Sequence, residues 1–365
     1  MKILHVINSL GTGGAEKLVA DLAPLQRDVG NAVEVLLLKG GSTPFRESLE
    51  KVGIRVHDFG AGTSVYSPLN VFRLIPFLRK YDVVHVHLFP AQYWGAFAKA
   101  ISFAGTPLVT TEHNTTNRRR EISCLRLVER WVYRHFEKII SISEKTRQAL
   151  QHHLGESLPD ALFPLVENGI DIQVFSGACA ENRSAFLGEN STALIMQVAG
   201  FREQKDQDCL LRALSILPDD VHAVFVGDGV RRAECEHLAE SLGVRARAHF
   251  LGARADVPAL LKAADVVVMS SHWEGFGLAA VEGMAAGKPV VASDVPGLAE
   301  VVGGAGLLFP QGDEKALAET IEKLLSDKDF YARVSAACLR RAADFDVRKT
   351  AAAYLRLYAE AARSR

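Results

Sequence analysis

The feature that most constrains this 365-residue chain is an alternation of short, unbroken Val, Ile and Leu runs with amphipathic stretches, sustained almost from end to end. The runs are KILHVIN, VEVLLLK, DVVHVHL, PLVTTEH and KIISIS in the first half, then ALIMQVAG, HAVFVGDG, AHFLGA, DVVVMSS and PVVASD in the second. A strand with one wet face alternates apolar and polar residues, whereas a strand covered on both faces does not. Such runs separated by helix-length segments predict parallel sheets with helices on each side, an α/β fold. The series pauses around LFPLVENGIDIQVFSGACAENRSAFLGENSTALIM, which places a domain boundary near residue 173. The expected organisation is a Rossmann-like domain over 1–172, a second over 173–345, and a strong terminal helix over 346–365. In doubly wound sheets ligands sit at the carboxyl ends of the strands, so two such sheets predict a shared cleft.

Composition narrows the function. Hydrophobic residues make up 48% and charged residues 23%, which is ordinary for a protein with real cores. A net charge of −1 gives no general pull toward nucleic acid, so an anionic ligand must be held by local charge. The cysteines at 124, 179, 209, 235 and 338 form no C-x-x-C pair, which argues for reduced thiols and against zinc. The start, MKILHVINSLGTGG, lacks a cleavage-site pattern, and no apolar run approaches the roughly 20 residues of a membrane span. The expectation is a cytoplasmic protein.

Several strand ends carry chemistry. SLGTGGAEKLVADLAPL opens a helix with glycines, so a phosphate could meet backbone N–H groups at Gly13 and Gly14. It is neither G-x-G-x-x-G nor a P-loop, and the second strand ends without an acid for a ribose, which disfavours a nicotinamide dinucleotide. His87 and His113 fall just past two strands, where polar groups converge on ligands. Glu112 either orients the His113 imidazole or faces the opposite way. AGFREQKDQD sets Arg202 and Lys205 at a turn, suited to a diphosphate. HWEGFGLAAVEG places Glu274 before a helix and Glu282 inside it, with Gly275 and Gly277 leaving the helix start uncluttered for an anion. Paired hydroxyls, which sugars offer in quantity, suit such carboxylates. The basic, aromatic stretch NRRREISCLRLVERWVYRHFEK reads first as a solvated helix with a core face and second as a contact for anionic lipid headgroups or an acceptor phosphate. Asp327 and Asp329 form a D-x-D triplet inside a polar turn between helices, and no metal site is expected there.

Taken in order, GTGGAE, TEHN, ENGID, EQKD, GDG followed by FLG, EGFGLAAVEG and GKPVVASDVPGLAEVV resemble the retaining glycosyltransferases of family 4, glycosyl transferases group 1. The resemblance covers essentially the whole chain and implies the GT-B architecture, two facing Rossmann-like domains with a cleft between them. It implies that Glu274 contacts the donor sugar near the reacting carbon, that Glu282 holds the nucleotide ribose, and that Gly275, Phe276, Gly277 and Leu278 cradle phosphate and sugar. Lys205 matches the cation on the donor diphosphate, and Gly13 and Gly14 match the loop closing on it. His113 matches the histidine near donor sugar and acceptor, with His87 and Asn114 on the acceptor side. The terminal helix resembles the segment that crosses back onto the first domain. Two positions depart from the pattern: Gly200 stands where many members carry arginine, leaving Arg202 displaced, and Gly283 follows the second acid in place of alanine.

The implied function is sugar transfer from a nucleotide diphosphate donor, UDP-sugar before GDP-sugar, to a glycan, lipid-linked or small-molecule acceptor in polysaccharide or glycoconjugate synthesis. It needs no metal or cofactor, because the helix start and cations stabilise the leaving diphosphate. Two rivals share the fold: a nucleotide-sugar epimerase or hydrolase, which consumes donor without acceptor, and a non-catalytic nucleotide-sugar binding module.

Overall fold

All ten apolar runs form strands, and two short edge strands complete two six-stranded parallel sheets. The computed structural model describes residues 1–11, 13–113, 125–155, 158–185, 187 and 193–363. The chain divides into two units, one of Met1–Gly169 with Val347–Arg365 and one of Ile170–Asp346.

Unit 1 contains β1 (Lys2–Ile7), β2 (Ala32–Leu37), β3 (Arg55–Asp58), β4 (Val83–His87), β5 (Leu108–Glu112) and β6 (Lys138–Ser141), in the spatial order β3-β2-β1-β4-β5-β6. Side chains alternate between faces along each strand. Leu4 and Val6 of β1 and Val84 and Val86 of β4 join one core, while Ile3, Ile7 and Val83 join another on the opposite face. That second face is covered by two helices. Gly14–Asp28 buries Leu18, Val19, Leu22 and Gln26, and Val347–Arg363 buries Ala351, Tyr354, Tyr358 and Ala361. Both sets recur at three- and four-residue intervals, the stripe a helix needs to lie on a sheet.

Unit 2 repeats the plan with β7 (Ala193–Val198), β8 (Val221–Val226), β9 (Ala248–Gly252), β10 (Val266–Met269), β11 (Val290–Ser293) and β12 (Leu307–Phe309), ordered β12-β11-β10-β7-β8-β9. Helix Leu278–Ala285 packs so closely on β10 that a Cβ at Gly283 would lie 2.9 Å from Val267 Cγ1, so an alanine after the second acid would require Val267 or the helix to shift. In each unit the strand order reverses between two central strands, β1 and β4 in the first and β7 and β10 in the second. Doubly wound sheets open their ligand crevice at that reversal.

Candidate functional site

In unit 2 the loops leaving β7 and β10 flank the reversal and are stitched together. Gln197 Nε2 donates to Lys205 O and to Ser270 Oγ, both at 3.0 Å, and Ser270 Oγ donates to Asp206 O at 2.7 Å. His272 N donates to Gln204 O at 2.8 Å, and Gln204 Nε2 to Trp273 O at 2.8 Å. The stitching brings Lys205, from one loop, against Glu274, from the other. The Lys205 ammonium pairs with Glu274 Oε1, and Ser271 Oγ donates to the same oxygen at 3.0 Å. Glu274 is 7% exposed, so its charge is held by this pair and not by bulk water. Asp206 takes a left-handed conformation, φ 44°, to cap the helix Gln207–Ile216. Burial raises its pKa, opposed by His272, whose Nδ1 lies 3.6 Å from its carboxylate.

Beyond Glu274 the loop ends at Gly277, the N-cap of Leu278–Ala285, with φ 93° and no side-chain cap. No acid stands in the helix's first turn, so its leading N–H groups form an electropositive cradle. By contrast, Asp313 and Asp327 cap the helices Glu314–Ser326 and Lys328–Ala342 through their side chains. The segment after β11 braces the cradle: Gly297 has φ 90°, and a Cβ there would lie 2.5 Å from Glu274 O. Phe276 is buried edge-on against Phe345, centroids 5.4 Å apart. Glu282 is half-buried one turn into the helix, on a different element from Glu274. Arg202 is exposed, and its Nε lies 4.0 Å from where a Cβ of residue 200 would stand. The displaced cation thus folds back toward the position whose side chain is missing.

In unit 1, Gly13 caps Gly14–Asp28 without a side-chain bond, and both glycines are exposed. The Glu16 carboxylate curls back to where a Gly13 Cβ would be, and burial raises its pKa. His87, expected just beyond its strand, is the last residue of β4 and fully buried. Glu112 faces away from His113: its Oε1 accepts from Gln92 Nε2 at 2.9 Å and Tyr133 OH at 2.5 Å, on the opposite side of the sheet. Consecutive strand residues point to opposite faces, which settles the alternative left open by sequence. His113 is part-exposed, and burial of its ring lowers its pKa to about 4. Asn114 lies outside the described residues.

The two halves match two family descriptions, "Glycosyltransferase Family 4" over residues 12–174 and "Glycosyl transferases group 1" over residues 180–339. A 2-deoxystreptamine glucosyltransferase of Streptomyces kanamyceticus is 30% identical over 268 residues, 67% of this chain and 68% of that protein. The chain belongs to this glycosyltransferase family.

Among other relatives of this glycosyltransferase is a D-inositol 3-phosphate glycosyltransferase of Mycolicibacterium gilvum, 32% identical over 303 residues, 77% of this chain and 66% of that one. The crystal structure of Anabaena HepE in complex with UDP and glucose has a TM-score of 0.84 at 27% identity, covering 98% of each chain. The same protein in complex with UDP-glucose has a TM-score of 0.83 and covers all of both chains. The fold is thereby GT-B. In this glycosyltransferase Asp327 stands between two helices and caps the second, accepting from Phe330 N at 2.9 Å, while Asp329, expected in the turn, lies in that helix's first turn. No described helix is long and apolar enough to cross a membrane. Sequence reasoning missed Gln197, Ser270, Ser271 and Gly297, which position the pair; the polar residues at the ends of apolar runs were the available signal.

Proposed function

We propose that this glycosyltransferase moves a sugar from UDP-sugar to an acceptor hydroxyl with retention and without a metal. The observation that carries the reading is the Lys205–Glu274 pair beside the uncapped start of Leu278–Ala285, at the strand-order reversal of unit 2. A diphosphate fits the N–H groups from Gly275 to Leu278, with Lys205 shared between Glu274 and phosphate and Arg202 adding charge from the surface. Glu274 takes the donor sugar and Glu282 the ribose. Gly13, Gly14 and His113 are the substrate contacts of unit 1, with His87 and Asn114 on its acceptor side.

In the reaction the bond from the sugar's anomeric carbon to the diphosphate oxygen breaks, leaving negative charge where the helix start and Lys205 stabilise it. The acceptor oxygen attacks from the same face, and its proton passes to the departing phosphate oxygen. No protein nucleophile is required. The acceptor is a glycan, a lipid-linked sugar or a small polyol, in polysaccharide or glycoconjugate synthesis, and the enzyme works in the cytoplasm. Peripheral contact with an anionic membrane is supported by Leu127, Val128 and Trp131, exposed with Arg126 on the helix Leu125–Tyr133, and by Arg134, exposed in the turn that follows it.

The test is a panel of UDP- and GDP-sugars with and without acceptors, in chelator, followed by proton NMR of the anomeric signal. Acceptor-dependent donor loss with retained configuration is expected. Donor loss without acceptor would make the protein a hydrolase or epimerase, and no loss under any pairing would leave a binding module.

A further inference from the structure

Three wholly buried histidines lie side by side on the face of the unit 1 sheet covered by Gly14–Asp28 and Val347–Arg363. They are His5 on β1 and His85 and His87 on β4, with His5 and His85 directly opposite in the parallel ladder. Burial lowers all three pKa values, to about 4 for His5 and well below the usual range for the others, so the rings are neutral. A neutral imidazole has one donor and one acceptor nitrogen, and a chain of contacts therefore fixes each tautomer in turn.

The chain starts at Gln26. Its Oε1 lies 2.8 Å from His5 Nε2, and a carbonyl oxygen can only accept, so His5 carries its proton on Nε2. His5 Nδ1 is then an acceptor. It lies 3.1 Å from His87 Nε2, which must donate, and this leaves His87 Nδ1 a bare lone pair. That Nδ1 is buried and has no partner among the described residues, and the same is true of His113 Nε2. The two rings are neighbours, with centroids 6.3 Å apart. The bonded His5 and His87 rings stand at 5.3 Å, so closure of the His87–His113 pair by about 1 Å would bring it to the spacing of a direct ring-to-ring hydrogen bond. In that direct contact the orphaned acceptor fits the orphaned nitrogen only if His113 carries its proton on Nε2.

We infer that Gln26, His5 and His87 form a positioning relay that fixes His113 in its Nε2–H tautomer, so that its Nδ1 lone pair is offered to a substrate hydroxyl. The hydroxyl's identity rests on the glycosyl-transfer reading; the relay itself does not. His85 stands outside it, its Nδ1 bonded to Tyr358 OH at 2.6 Å and its Nε2 to Thr111 Oγ1 at 2.9 Å, partners that can donate or accept. A metal ion is the competing use of this cluster, since one nitrogen from each of His5, His85 and His87 lies within 4.8 Å of the others. Both nitrogens of His5 and of His85 are already engaged by Gln26, His87, Tyr358 and Thr111, leaving only His87 Nδ1 bare, which favours the relay.

The experiment is long-range proton–nitrogen correlation NMR on the full chain with labelled histidine at neutral pH, with His113 assigned through His113→Gln. The relay predicts Nε2–H tautomers for His5, His87 and His113 without any substrate. It also predicts that Gln26→Leu mixes the His113 tautomers and lowers kcat roughly tenfold or more, with UDP affinity unchanged. An Nδ1–H His113 in the unsubstituted protein, or stoichiometric zinc in the purified protein, would overturn it. Loss of UDP binding with the tautomers as predicted would instead count against the glycosyl-transfer reading and leave the relay standing.

Discussion

Lowering the pH should unfold unit 1 well before ordinary carboxylate titration would. His5 is neutral in the folded chain because burial lowers its pKa from about 6.5 to about 4. In the unfolded chain it protonates as pH falls through about 6.5, so between those values the unfolded state binds more protons and stability declines with falling pH. Stability is fully present above about 6.5, and the loss is complete near 4. The interval corresponds to roughly 3 kcal/mol for this one ring. His85, His87 and His113 act in the same direction, and their sum rivals the roughly 5–15 kcal/mol that holds a typical domain together. The assay is urea unfolding at pH values from 7.5 to 4.5, followed by tryptophan fluorescence in a Trp273→Phe variant, which leaves Trp94 and Trp131 as reporters of unit 1. The urea midpoint should fall steadily below about pH 6.5. A midpoint unchanged between pH 7 and pH 5 would refute the claim that these rings are buried and neutral.

Other expectations concern the donor side. Lys205→Ala should cut kcat/KM by about a hundredfold or more in a folded protein, measured by UDP release, because it removes charge facing the leaving diphosphate. Glu274→Gln keeps the Ser271 bond, so it should fold with a near-native Tm yet lose turnover by a similar factor. Gly297→Ala, at φ 90° and 2.5 Å from Glu274 O, should cost about 1–3 kcal/mol in thermal unfolding and depress kcat by displacing Glu274. Arg202→Ala should weaken UDP binding by roughly tenfold at low salt and by less as salt rises, since the guanidinium is exposed.

Much of the fold was legible because burial on both sheet faces writes itself as unbroken apolar runs. β3 and β12 escaped for the converse reason. Arg55–Asp58 and Leu307–Phe309 are edge strands of four and three residues, with one neighbour each and partly exposed side chains. The residues of the Lys205 and Glu274 loops could be found from strand ends and glycines. Their contact could not, because Lys205 and Glu274 are 69 positions apart and meet only through the reversal of strand order. His5 was invisible as a functional residue. It sits in the middle of an apolar run, and its meaning depends on the register that sets it opposite His85 and on Gln26 from the overlying helix.

The central claim, a metal-free site for a nucleoside diphosphate built around Lys205 and the start of Leu278–Ala285, is tested most directly by calorimetric titration of UDP and GDP in the presence of chelator. Saturable one-to-one binding of UDP, weaker binding of GDP, and loss of UDP binding in Lys205→Ala are expected. No UDP binding by the folded protein, or binding that appears only when a divalent metal is restored, would contradict it.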